Sequence, residues 1–114
     1  MKILVVDDDE DTLESVSELC EVLGYEVSSS RTAEEALAIY DKERFRMVLM
    51  DLKMPGMGGA EGARRLLEAD PEASIVIITG NVVRQHAEDV QLLGIKALLR
   101  KPVDPNDLVR LLGA

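Results

Sequence analysis

The sequence predicts an α/β domain in which a parallel sheet carries helices on both faces. Strand-like and helix-like patterns alternate five times along its 114 residues, as they do when parallel strands are joined by helical crossovers. Four of the strand-like runs are almost wholly apolar and each stops at a polar residue. Strands covered on both faces and ending at the rim of a sheet look like this.

Taken in order, strands are expected at 2–6, 25–29, 47–50, 74–79 and 97–100. The first is Lys2-Ile-Leu-Val-Val before Asp7-Asp8-Asp9. The second, Tyr25-Glu-Val-Ser-Ser-Ser, alternates as an edge strand would. The third, Met47-Val-Leu-Met, ends on Asp51, the fourth, Ser74-Ile-Val-Ile-Ile, on Thr79, and the fifth, Ala97-Leu-Leu-Arg, on Lys101-Pro102.

Helices fill the gaps. Over 11–23, Leu13, Val16, Cys20 and Leu23 share a face, and Gly24 follows as a left-handed terminator. Thr32 with Glu35 makes a capping box for a helix through about Tyr40. A third runs over 59–69 up to Asp70-Pro71, a fourth over 82–93 before Gly94, and a fifth over 105–112. The glycine-rich loop Lys53-Met-Pro-Gly-Met-Gly-Gly59 follows Asp51, where a close-approaching backbone suits ligand access.

A chain of this length fits one domain, 1–114, that buries its core without disulfides, and no second domain has room. Cys20 is the only cysteine and is expected in the core. The net charge of -9 argues against direct nucleic-acid contact and against an anionic membrane surface, since both need clustered Lys and Arg. No signal peptide or membrane-length apolar run is present, which makes the cytoplasm the expected location.

Ligands of open parallel sheets bind at the carboxyl ends of the strands, and two acidic strand ends meeting there can hold a divalent cation. The strand ends here carry four chemistries: paired acids at Asp7 and Asp8, a lone acid at Asp51, a hydroxyl at Thr79 and an amine at Lys101. In this the chain resembles the receiver domain of two-component response regulators (CheY-like), from Lys2 to about Leu112.

The resemblance implies a flavodoxin-like (βα)5 three-layer sandwich with strand order 2-1-3-4-5. It makes Asp51 the phosphoacceptor, with Thr79 and Lys101 contacting the phosphoryl group. It assigns Mg²⁺ to Asp8, Asp51 and the backbone carbonyl of Lys53, with Asp7 nearby or through water, and it implies a cis bond before Pro102. Expected partners are a sensor histidine kinase or histidine phosphotransfer protein and a downstream protein. A homodimer formed on phosphorylation is also consistent with it. The domain would behave as a self-phosphorylating and self-dephosphorylating switch rather than a turnover enzyme, with Lys53 and Asn81 at rate-tuning positions. No output domain is expected within these residues, so the chain would be a stand-alone regulator, a phosphorelay intermediate or, as a short final helix suggests, a receiver cut from a longer protein.

One position departs from the family pattern: where many members carry Tyr or Phe, three residues before the lysine, this chain has Leu98. Two other readings compete with the receiver. A phosphatase of the haloacid dehalogenase type needs Asp two residues after its nucleophile, and Lys53 stands there after Asp51. A phosphorylation-independent interaction module would not require the full set of strand-end groups.

Several residues look chemical and read as plain structure. Asp7, Asp9, Asp11 and Glu18 fit a calcium loop in spacing, but Thr12 stands where that loop needs glycine. His86 is expected as a solvated helix residue, Arg64 and Arg65 as exposed charges, Met47 and Met50 as strand core, and Met54 and Met57 as loop packing.

Overall fold

A computed structural model describes residues 2–80 and 94–113. Its five strands are β1 (Lys2–Val6), β2 (Glu26–Ser30), β3 (Phe45–Asp51), β4 (Ile75–Thr79) and β5 (Ala97–Arg100), all parallel, in the order β2-β1-β3-β4-β5. The helices among the described residues are α1 (Glu10–Val22), α2 (Ala33–Ile39), α3 (Gly58–Ala69) and α4 (Pro105–Gly113). The helix expected over 82–93 lies outside the described residues, and with it Asn81 and His86.

β1, β3 and β4 are central and nearly every residue in them is buried. Strands covered on both faces have no reason to alternate, which is why these three read as continuous apolar runs. Successive side chains enter two cores. Ile3, Val5, Leu49 and Ile78 join Leu13, Val16 and Cys20 of α1 and Leu108 and Leu112 of α4 on one face. Leu4, Val6, Met50 and Ile77 join Ala36 of α2 and Ala63 and Leu66 of α3 on the other. Each fully buried side chain of this size stabilises the fold by about 1.5–3 kcal/mol. Met47 and Met50 are core, as expected.

Three strands differ in their bounds from expectation, β4 only by starting at Ile75 rather than at 74. β3 begins at Phe45 rather than Met47: Lys2 pairs with Phe45 and Ile3 with Met47, so Arg46 is the extra residue of a bulge. Its exposed side chain interrupts the apolar pattern and reaches the Leu112 carbonyl at 2.6 Å. β2 runs one residue later than expected, to the buried Ser30, because a run of serines carries no period.

The helix ends follow local chemistry. Asp9 caps α1, its carboxylate accepting from the Thr12 amide and hydroxyl, and Gly24 takes φ +97° beyond the other end. A helix starting at Glu10 rules out the calcium loop. Thr32 Oγ1 accepts from the Glu35 amide at 3.0 Å, but Glu35 returns its carboxylate to the Arg31 amide, one residue before the usual capping-box partner. Arg64 pairs with Glu61 and Glu68, and Arg65 with Glu61, on the exposed face of α3, where such pairs add little.

α4 starts on Pro105 after Asp104, whose carboxylate accepts the Asn106 amide. Its last carbonyls, which no helical amide reaches, accept donors from Tyr25, Arg46 and Lys96. The Lys101–Pro102 peptide is cis.

Candidate phosphoryl and metal site

Strand register assembles the site. β1 and β3 run level, Val6 opposite Met50, so Asp7 emerges beside Asp51. The ladder continues past the strand ends through Asp7 N–H to Ser30 O, Leu52 N–H to Ile78 O and Lys101 N–H to Thr79 O. Four strand ends therefore present Asp7, Asp51, Thr79 and Lys101 on one rim, at the point where the chain reverses its direction of strand addition.

Asp7 is fully buried and Asp51 nearly so, whereas Asp8 faces solvent. Asp7 Oδ1 accepts the Asp9 amide at 2.9 Å, which fixes the turn carrying Asp8. Asp7 Oδ2 meets Lys101 Nζ at 2.8 Å, and the same ammonium lies 3.2 Å from Asp51 Oδ1. The lysine thus bridges the two buried acids. Among the described residues, Oδ2 of Asp7 receives no hydrogen bond of good alignment beyond that ion pair, and so keeps capacity for a further electrophile.

The electrostatics follow from this geometry. Burial, and then the neighbouring Asp7, push Asp51 above the ordinary carboxylate range, with Lys101 opposing and Asp8 adding to the rise. Burial acts to lower Lys101, but Asp7 and Asp51 together outweigh it and hold the ammonium above its usual value. Asp9 is lowered, chiefly by the Thr12 hydroxyl, and is engaged as a helix cap rather than as part of the acid cluster.

One oxygen each from Asp7, Asp8 and Asp51 lies within 4.8 Å of the others. Magnesium at 2.0–2.1 Å from its ligands sets neighbouring oxygens about 3 Å apart, and it takes one or two carboxylates plus water. An all-oxygen cluster of this spread, with an under-used buried carboxylate oxygen, fits that ion.

The expected residues divide into those brought together and those set apart. Asp7, Asp8, Asp51 and Lys101 share one cluster, Thr79 is buried at the end of the adjacent strand, and the Lys53 side chain is exposed in the following loop. Two features join parts of the chain that the sequence pattern does not connect. Lys101 is paired with Asp7 as well as Asp51. Gly59 lies so close to the end of β3 that a Cβ there would stand 2.1 Å from the Asp51 carbonyl oxygen. The Gly58-Gly59 doublet is the only hint of that approach.

Leu98 pairs with Ile77 in the sheet and packs against the core on the α2 and α3 face. Among the described residues no helix is long and apolar enough to cross a membrane.

Residues 3–113 match the family model described as response regulator receiver domain. A response regulator receiver protein of Anaeromyxobacter sp. (strain Fw109-5) is 39% identical over 102 residues, which cover 90% of this chain and 43% of that protein. The chain thus spans less than half the length of that relative. Sporulation initiation phosphotransferase F of Bacillus subtilis is 31% identical over 107 residues, 94% of this chain and 86% of that one. The crystal structure of a CheY-like receiver domain protein from Methanospirillum hungatei superposes with a TM-score of 0.90 at 34% identity, covering 98% of this chain and 90% of the other.

Proposed function

This chain belongs to the response regulator receiver domain family and functions as a phosphoacceptor domain of two-component signalling, and on that premise we propose that Asp51 is the residue phosphorylated. The observation that carries this is the cluster itself: a buried carboxylate at a strand end, with an ammonium 3.2 Å away and two further acids within reach of a shared cation.

In this reading an Asp51 oxygen attacks the phosphorus of a phosphohistidine on a partner kinase or phosphotransfer protein. The new O–P bond forms as the P–N bond breaks, and the imidazole leaves with a proton. Asp8, Asp51 and the Lys53 carbonyl would hold Mg²⁺, with Asp7 nearby or through water, and the ion would offset negative charge on the phosphoryl oxygens. Lys101 gives up its contact with Asp51 and follows the transferred group, while Asp7 keeps the ammonium within the crevice. Thr79 donates its hydroxyl to a phosphoryl oxygen. Attack by water on the same phosphorus returns Asp51 to the free acid.

A groove of about 380 Å³ between α1 and the segment after β5, lined by Thr12, Ser15, Leu19, Pro102 and Val103, opens beside Lys101. It offers a donor protein mainly apolar surface next to the site. The reading also carries a cytoplasmic location and a downstream protein partner. The phosphatase alternative gains no support, since Lys53 is an exposed loop residue.

The test is intact-mass spectrometry after incubation with Mg²⁺ and acetyl phosphate, beside Asp51→Ala and an EDTA-treated sample. The expected result is one added phosphoryl group that disappears in both controls. An adduct that persists in Asp51→Ala, or a folded protein that neither binds Mg²⁺ nor gains mass, would overturn the assignment.

A further inference from the structure

We propose that Glu34, in the first turn of α2, is a positioning residue that holds the loop between Asp51 and α3 and thereby sets how tightly the site takes Mg²⁺. The inference rests on the reading of the acid cluster given above and concerns a residue outside it.

α3 begins without a cap of its own. Met57 occupies the N-cap position and makes no side-chain hydrogen bond to the helix. The exposed amides of a helix start carry partial positive charge and favour an anion. Besides Glu61 in the first turn of α3 itself, a carboxylate from another helix reaches this end: Glu34 Oε1 accepts the Met57 N–H in a long hydrogen bond of 3.4 Å. Oε2 of the same group lies over the neighbouring glycine, where a Cβ on Gly56 would stand only 2.7 Å from it. Gly56 has φ +79°, so the loop at this point needs glycine for its backbone.

The approach of the two helices is built into their packing. A Cβ on Gly62 of α3 would lie 2.8 Å from the Cβ of Ala33, the residue before Glu34. Glycine at that position lets α3 settle against the start of α2, which brings Glu34 over the loop. Its carboxylate meets no Lys or Arg among the described residues, so the loop amide is its one described hydrogen-bond partner.

The far end of the same loop is Lys53, whose carbonyl is an expected ligand. A loop fixed at Gly56 and Met57 has fewer conformations to lose when that carbonyl is engaged. Removing the Glu34 contact leaves Asp7, Asp8 and Asp51 in place but makes the carbonyl's contribution weaker.

The test compares the parent with Glu34→Ala and Glu34→Gln, the second of which keeps an acceptor oxygen without the charge. Amide exchange at Met57 is measured in metal-free protein, and Mg²⁺ affinity is measured by titration followed by NMR. The expected result for the alanine variant is faster exchange at Met57 and a dissociation constant weakened about threefold, the scale of one modest hydrogen bond. The glutamine variant is expected within about twofold of the parent in both.

Unchanged Met57 exchange in the alanine variant would overturn the contact. Faster exchange with unchanged Mg²⁺ affinity would overturn the link to the site. A glutamine variant equal to alanine would overturn the hydrogen bond in favour of a bare field effect. A parent that binds no Mg²⁺ removes the reading of the acid site and this inference together, whereas normal parent binding with an indifferent alanine variant removes this inference alone.

Discussion

Replacing Asp51 by asparagine is expected to stabilise the metal-free protein at pH 7, by an amount that the site geometry bounds. At an effective dielectric of about 20, a unit charge at the 4.8 Å limit of the acid cluster acts on Asp51 with at least about 3.5 kcal/mol, and one 3.2 Å away with about 5 kcal/mol. The first figure applies to each neighbouring acid and the second to Lys101. Asp8 is exposed and its share is screened, so attraction and repulsion nearly cancel. What remains is the loss of hydration by the carboxylate, the foremost cause of its raised pKa. Several kcal/mol attend full burial of an ion, and an Asp51 side chain still 8% accessible incurs part of this. A net gain of about 1–2 kcal/mol follows for the neutral amide, which keeps the shape and an acceptor for Lys101. The sign with pH is fixed by the direction of the shift. A carboxyl group whose folded pKa lies above its unfolded value costs stability once pH has risen through both, and costs nothing below the unfolded value near about 3.9. The advantage of Asp51→Asn is therefore full at pH 7 and lost as pH falls toward 3.5. Urea unfolding in EDTA reads it as a midpoint about 1 M higher for the variant at pH 7. Millimolar Mg²⁺ should narrow the gap, because the parent gains more from the cation. A variant no more stable than the parent at pH 7 without metal would refute the account of the site as a strained charge cluster.

Gly59→Ala is expected to cost about 2–4 kcal/mol, since the new methyl collides with the Asp51 and Leu52 backbone and no side chain can yield; thermal unfolding checks it. The Cys20 thiol is buried and pushed up to about 11, foremost by loss of hydration, so thiol-specific reagents at pH 8 should label the folded protein only through unfolding. Labelling as fast as that of a free thiol would contradict this placement. Arg46→Met should lose the 2.6 Å cap on Leu112 O while keeping the stem, for a destabilisation of about 1 kcal/mol and faster amide exchange in the last turn of α4.

What could be read from the residues alone depended on how locally each feature is determined. β1, β3 and β4 were legible because burial on both faces leaves an unbroken apolar run, and the site was legible because those runs stop at polar groups whose order is preserved in the sheet. The start of β3 was not legible, since a bulge at Arg46 places a charged residue inside the strand. Glu35 was recognised as a reciprocal cap, but its reach to Arg31 depends on the path of the chain entering the helix. The bridge from Lys101 to Asp7, the seat of Glu34 over Gly56 and the contact at Gly59 join parts of the chain that no periodicity connects. Such features arise from packing, and a sequence shows them only as an isolated charge or a glycine.

Lys101 is the counterion of two acids that precede it in the chain by 94 and 50 positions (101 − 7 and 101 − 51). During synthesis, at about 5–20 residues per second, Asp7 and Asp51 leave the ribosome several seconds before the lysine. For that interval β1 and β3 can pair, but the two acids they bring together face one another without an ammonium between them. A divalent cation met at that stage would have no lysine to displace. The order of synthesis thus leaves a divalent cation from solution as the only counterion these acids could meet before the lysine.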